Sequence, residues 1–427
     1  MKKMMLGILT SIMFACAFLP VYAEEPTATP AAEENTETTS NTEGGPAISA
    51  PSAVLIDSAS GTILYQKNMN ETHNQASLTK IMTVYLACEN LKSDSYLTMS
   101  EDVFNSFDRN TNHLWIVNEE SLQVKDLEYG AMLSSANDCA SMLAAGVSGT
   151  LDAFVQKMND TAASLNMKDT VFADATGLHS DQSSTPYDMA VLTRAALKND
   201  TFAQVFKTVS YEIPADGYQD ARQIATDNEQ LKQGEYAYQF VSGGKIGNSD
   251  AGGFAMSASA DNGSMTLVAV VMGEADDASS YNDTKALFEY GFSSYRQLSI
   301  DASSIGSKTV DIYEGKKLKA TAVFTIDTGF NALVPSSVED SSMKTDIVVE
   351  NENDPETIEA YVVFYLDGTE VGRSKMNKDI TEYDISFNVT TLPTIMQYFD
   401  YFCIGVLALF VFGKLLLQIG RHFMPPQ

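Results

Sequence analysis

A serine and a lysine three residues apart, Ser77 and Lys80, open an apolar stretch in which Leu78, Ile81, Met82, Tyr85 and Leu86 recur at helical spacing. The spacing predicts an amphipathic helix beginning at Ser77. The serine hydroxyl and the lysine amine then share one helical face, within reach of each other. The chemistry open to such a pair is nucleophilic. A serine hydroxyl needs an adjacent base at neutral pH, and a lysine can act as that base when burial or a neighbouring cation lowers its pKa. A helix start also supplies partial positive charge where an oxyanion would form. Ser-x-x-Lys is common by chance and Ser is a frequent helix start, so the pair gains meaning only from what accompanies it.

Two further polar clusters follow in chain order. Ser135-Ala136-Asn137 sits between two apolar helical segments, where a loop with a helix cap is the plain reading. Lys245-Ile246-Gly247 closes the stretch Phe240 to Gly247, which has the texture of a strand.

The elements that must position these groups can be read from periodicity. Ala53 to Asp57 is predicted as a buried strand, Ser60-Gly61 as a turn and Thr62 to Tyr65 as its return. Helices are expected over Val124 to Leu133, onward from Asp138 through Ala144, over Phe154 to Leu165 and over Tyr187 to Leu197. Phe254 to Ala260 alternates as a half-buried strand, Asp261 to Ser264 turns, and Met265 to Met272 pairs back. Thr284 to Tyr290 reads as a closing helix. Strands at both ends with helices between predict a mixed α/β domain around an antiparallel sheet, over residues 48–297. Residues 298–392 read as a separate small all-β domain. Candidate strands there are Val310 to Tyr313, Thr321 to Ile326, Thr345 to Val349, Ala360 to Tyr365 and Ile380 to Val389, with a turn at Leu366 to Thr369.

The flanks are of other kinds. Residues 1–23, with Lys2 and Lys3 before an apolar run and Val21-Tyr22-Ala23 at the cleavage position, read as a secretory signal peptide. Residues 24–47 are Thr-, Glu-, Ala- and Pro-rich and read as a disordered linker. Residues 397–420 form an apolar stretch broken by Lys414, aromatic at one end and basic at the other. They read as a transmembrane anchor with its tail inside the cell. A helix lying in the interface is the other arrangement this pattern allows.

The formal net charge of −29 argues against nucleic acid as a partner. Only Cys88 and Cys139 fall in the expected soluble part. Their spacing suggests neither zinc nor a disulfide framework, and their apolar contexts suggest small buried hydrophobes. His73, His113 and His179 show no spacing of a triad or metal site and read as surface or loop residues. Trp115 is expected to pack in the helical region.

Taken together, Ser77-x-x-Lys80, Ser135-x-Asn137 and Lys245-Ile246-Gly247 resemble the three motifs of the serine penicillin-recognising enzymes. Within that group the chain is most similar to the serine-type D-alanyl-D-alanine carboxypeptidases, the low-molecular-mass penicillin-binding proteins. Tyr65 to Asn68, Asp126 to Gly130, Met158-Asn159, Ala175 to Leu178 and Tyr290 to Phe292 also resemble that pattern. The likeness covers roughly Pro51 to Tyr295 and extends to the strand-rich region and terminal anchor. It implies a penicillin-binding/β-lactamase-like transpeptidase fold followed by a small β domain and a C-terminal membrane helix.

The resemblance also implies roles. Ser77 would attack the terminal D-Ala-D-Ala bond, Lys80 would take its proton, and Ser135 would relay a proton to the departing D-alanine. Asn137 would bind the substrate amide, and Lys245 the terminal carboxylate. Gly247 would let the strand approach the substrate, and the N–H groups of Ser77 and of a residue just past Gly247 would form the oxyanion hole. Neither metal nor cofactor is implied. The expected partners are peptidoglycan stem peptides, β-lactams as covalent inhibitors and the membrane through the C-terminal helix, with the protein on the outer face. The family has Thr or Ser where Ile246 stands, and the loss of that hydroxyl implies about ten- to a hundredfold in rate. Ser249 is the expected partial replacement. A weakly active or inactive peptidoglycan-binding protein of this fold is the main alternative. A β-lactamase is disfavoured by the β domain and anchor, and by the lack of a Glu-bearing deacylation motif.

Overall fold

In the computed structural model of the chain, residues 44–326, 330–339, 342–366 and 368–383 are described. The expected signal peptide, nearly all of the expected linker, the end of the expected β domain and the expected anchor lie outside them.

The first region is built on a five-stranded antiparallel sheet. Its strands are β1 (Ser52–Asp57), β2 (Ile63–Lys67), β3 (Val241–Ser249), β4 (Gly253–Asp261) and β5 (Thr266–Glu274), in the order β2-β1-β5-β4-β3. Ala53 to Ile56 of β1 is apolar without interruption because both faces of the strand are covered. Val54 and Ile56 join one core with the helices that follow, whereas Ala53 and Leu55 join a second core with the long helix that ends the region.

The helices used below are α1 (Thr79–Asn90), α2 (Val124–Leu133), α3 (Asn137–Ser148), α4 (Leu151–Ser164), α5 (Pro186–Ala196) and α6 (Asp277–Ser294). Leu78, Ile81, Met82 and Val84 face the first core beside Leu127, Met142 and Phe154, so α1 is the central post of the helical lobe. α6 covers the other face of the sheet through Tyr281, Leu287 and Phe288. It is about two and a half times the length expected, because its first turns are Ser-, Asn- and Asp-rich. Their start signal is a cap, the Asp276 carboxylate accepting the Ser279 N–H at 2.7 Å, rather than an apolar stripe.

After α6 the chain is all strand and short turns. Lys308–Glu314, Lys317–Thr325 and Asn377–Glu382 form one sheet, and Met343–Glu350, Glu359–Leu366 and Thr369–Lys375 another. They enclose a third core around Ile312, Phe324, Val362 and Phe364. A pair of strands, Tyr295–Ile300 with Phe330–Pro335, leads into it. That pair and the strand Thr369–Lys375 are additions to the elements expected from sequence.

Two side chains depart from expectation. Trp115 is 68% exposed and is held at a φ of 59°, away from the helical core. Its loop is fixed by polar contacts, so no apolar face draws the ring inward. Cys88 is only partly buried: it packs at the edge of the first core and its thiol also donates to the Glu128 carboxylate at 3.5 Å, whereas Cys139 is fully buried as expected.

Candidate active site

The chain reaches Ser77 through a tight polar entry. Asn74 Oδ1 accepts the Ala76 N–H at 3.0 Å, Ala76 takes a left-handed φ of 46°, and residues 76–78 make one 3-10 turn that runs directly into α1. Ser77 therefore stands at the mouth of a helix, half-buried, as its spacing predicts. Two glycines press against its backbone. A Cβ on Gly177, whose φ is +90°, would stand 2.0 Å from Ala76 O, and one on Gly247 would stand 2.8 Å from Ser77 N. The close approach at Gly247 is thus first to the backbone of Ser77 itself.

Lys80 lies one turn along α1, fully buried. Its Nζ donates to Ser77 Oγ at 3.3 Å and to the Thr176 carbonyl at 2.5 Å. Burial, and then the nearby charge of Lys245, lower its pKa to about 7. Lys245 comes from β3, is 2% exposed and donates to the carbonyl of Ile246 at 2.8 Å; burial lowers its pKa to about 8. Two buried amines thus share the site, both held well below the ordinary lysine range, with Lys80 the lower of the two. Such pairing divides acid and base roles between like groups.

Ser135 and Asn137 come from the junction of α2 and α3. Ser135 has a left-handed φ of 52°, a strained conformation for a residue with a Cβ. Its Oγ is buried without a protein partner, as is Asn137 Oδ1. Orphaned buried polar atoms are rare and point to a ligand that completes them. Asn137 is held at its other end, its N–H donating to Asn112 O and its Nδ2 to Thr111 Oγ1, each at 2.8 Å.

Strand alternation sorts the third motif. Lys245, Gly247 and Ser249 turn toward the α1 side. Ile246, opposite Met256 in the register, packs on the second core under α6. The Ile246 side chain therefore belongs to the other layer, and the site lacks the hydroxyl that the family resemblance places at this position. Ser249 lies on the site's face as expected, but its hydroxyl donates to Asn74 Oδ1 at 3.3 Å and accepts from Gly252 N at 3.0 Å, bracing the hairpin against the entry to Ser77.

Sequence reading missed two parts. One is the Thr176 carbonyl that anchors Lys80, in a loop stitched by Asp174 accepting from the N–H groups of residues 176–179; the Ala175-Thr176-Gly177 resemblance was its only signal. The other is the 111–116 loop that grips Asn137. A cavity of about 370 Å³ adjoins Thr176, lined by Phe107, Ser141, Val155 and Asp174 among others. A larger cleft of about 910 Å³, touching Ser58, Lys198, Thr266 and Arg373, contains none of the motif residues. Among the described residues no cluster of His, Cys, Asp and Glu could hold a metal.

The sequence profile of the D-alanyl-D-alanine carboxypeptidase family matches residues 37–276, more than half of the chain. The D-alanyl-D-alanine carboxypeptidase DacF of Bacillus subtilis is 32% identical over 250 residues, 58% of this chain and 63% of that protein, so the match spans less than two thirds of this relative's length. DacC of Escherichia coli, a D-alanyl-D-alanine carboxypeptidase, is 28% identical over 355 residues, covering 75% of this chain and 83% of its own. The crystal structure of penicillin-binding protein 5 from Haemophilus influenzae superposes with a TM-score of 0.66 at 22% identity, over 79% of this chain and 99% of that one, which shows the fold.

Proposed function

The chain belongs to the D-alanyl-D-alanine carboxypeptidase family, and from that premise we propose that it is a serine D,D-carboxypeptidase acting on peptidoglycan stem peptides. The observation that carries the reading is the buried Lys80 Nζ, 3.3 Å from Ser77 Oγ, with its pKa brought down to about 7.

In the proposed reaction Ser77 Oγ attacks the carbonyl carbon of the terminal D-Ala-D-Ala bond, and its proton passes to neutral Lys80. The Ser77 N–H, together with one from the strand beyond Gly247, faces the oxyanion. Ser135, otherwise without a partner, carries a proton to the departing amine, and the C–N bond breaks to release D-alanine. Asn137 Oδ1, also without a protein partner, accepts a substrate amide N–H. Lys245 supplies positive potential for the terminal carboxylate. Water then attacks the acyl-Ser77 ester, its proton passing to Lys80 and on to the departing Ser77 Oγ, which frees the shortened peptide and restores the serine. β-Lactams fit the same site as acylating inhibitors.

The amino-terminal apolar run and the apolar stretch 397–420 support export and anchoring at the outer face of the membrane. Among the described residues no helix is long and apolar enough to cross a membrane. Alkaline extraction of membranes checks the anchor: the chain should stay with the lipid, and its release into the wash would remove the anchor from the account.

Intact-mass measurement after incubation with penicillin tests the chemistry. One added penicillin per chain, absent in Ser77→Ala, is expected; an adduct that persists in Ser77→Ala would reassign the nucleophile.

A further inference from the structure

The rim of the site carries an aromatic platform that the reaction above does not use. Trp115 is 68% exposed and Tyr218 is 55% exposed, on two loops that touch. Gln219 Nε2 donates to the Trp115 carbonyl at 2.8 Å. The His113 ring packs on the Trp115 ring with centroids 4.2 Å apart. The Trp115 backbone is in the left-handed region, and the N–H groups on either side of it, Leu114 and Ile116, both donate to the buried Asp138 carboxylate, at 2.9 and 3.2 Å. Asp138 directly follows Asn137. The second loop is clamped by Arg222, which donates to Glu120 at 2.8 Å and to Asp216 at 3.3 Å, while Asp216 Oδ1 accepts the Tyr218 N–H at 2.6 Å. A strained backbone with this many fixed contacts persists where the surroundings over-determine it. Here it holds the Trp115 ring out to water in place of burying it.

From these contacts we propose that Trp115, with Tyr218 on the adjoining loop, is a saccharide subsite stacking on the N-acylated amino-sugar rings from which the stem peptide hangs. The Trp115 loop is tied to Asn137 through Asp138 and Asn112. Trp115 is three residues from Asn112, whose carbonyl holds the Asn137 N–H, so it lies within about 11 Å of that residue along the chain. Four stem residues upstream of the scissile bond extend to at most about 14 Å, a reach comparable with the distance from the site to this loop. Flat ring faces suit the apolar C–H face of a pyranose, and the polar edges of Trp and Tyr suit its hydroxyl and amide groups.

The subsite rests on the carboxypeptidase reading for the identity of its substrate, but its test needs no turnover. Trp115 is the chain's single tryptophan, so its emission reports directly on stacking. The full chain carrying Ser77→Ala would be titrated with a tetrasaccharide of N-acetylated amino sugars, with free stem pentapeptide and with anionic phospholipid vesicles. A saturable emission change with the saccharide, weakened about three- to tenfold in Tyr218→Ala, is expected. No response to the saccharide, or a response confined to pentapeptide or to vesicles, overturns the subsite. In kinetics on the catalytically intact chain, Trp115→Ala should raise KM more for disaccharide-linked pentapeptide than for free pentapeptide, with partial rescue in Trp115→Phe. Equal loss on both substrates would mean that the ring merely supports the loop. Saccharide binding without D-alanine release would keep the subsite and overturn the enzymatic reading.

Discussion

Lys80 Nζ lies 3.3 Å from Ser77 Oγ and 2.5 Å from the carbonyl of Thr176. The carbonyl fixes the amine where it can take the serine's proton, and burial removes the water that would otherwise keep it charged. The buried amine is costly to the fold, so it gives a prediction about stability as well as rate. In the folded chain Lys80 loses its proton near pH 7, while an unfolded lysine keeps it to about pH 10.4. The unfolded state binds more protons between those values, so stability rises with pH across that window, and the full cost is present below it. Lys80→Met should therefore abolish D-alanine release, by at least about 10³, yet melt at a higher temperature than wild type at pH 6, with the gain shrinking toward pH 10. A folded variant that melts lower at pH 6 would contradict the assignment.

The two lysines also predict the pH profile. Lys80 must be neutral to accept a proton, so kcat/KM should rise as pH passes about 7. Lys245 must be charged to attract the substrate carboxylate, so kcat/KM should fall as pH passes about 8. The profile is a narrow bell, and Lys245→Arg, whose charge does not titrate in this range, should lose the alkaline limb while lowering the rate. An alkaline limb unchanged in that variant would assign it to another group.

Gly177 joins the site through space alone. Its φ of +90° and the 2.0 Å approach of a Cβ to Ala76 O leave no room for a side chain. Gly177→Ala should cost about 1–3 kcal/mol from the backbone conformation, with a further loss of activity as the entry to Ser77 shifts. Thermal melts and D-alanine release on the same sample check both, and a variant matching wild type in each would show that the loop is not under this constraint.

Ile246 packs on the second core, on the opposite face of β3 from Lys245. Ile246→Thr should therefore lose packing, about 1 kcal/mol of stability, and leave kcat/KM within about threefold. A rise of tenfold or more would instead show that a hydroxyl at this position does reach the substrate, as the family resemblance implies.

Much of this was legible in the sequence because it rests on short-range signals. The serine and lysine share a helical face by spacing, and the alternating and apolar strands follow from which faces are buried. The third motif shows where that stops. Strand texture located residues 245–247, but only the register opposite Met256 fixed the face of Ile246 and turned Ser249 toward Asn74. Trp115 went astray for a related reason. Its sequence neighbours are apolar, yet its position is set by the distant Asp138 and Gln219, which no local period encodes. Helix α6 was shortened because its cap is polar.

The central claim is met most directly by D-alanine release from a stem pentapeptide ending in D-Ala-D-Ala, with wild-type chain and Ser77→Ala side by side. Release by the wild type that vanishes in Ser77→Ala is the predicted result. Folded wild-type chain that releases no D-alanine, or release that survives the loss of Ser77, would contradict it.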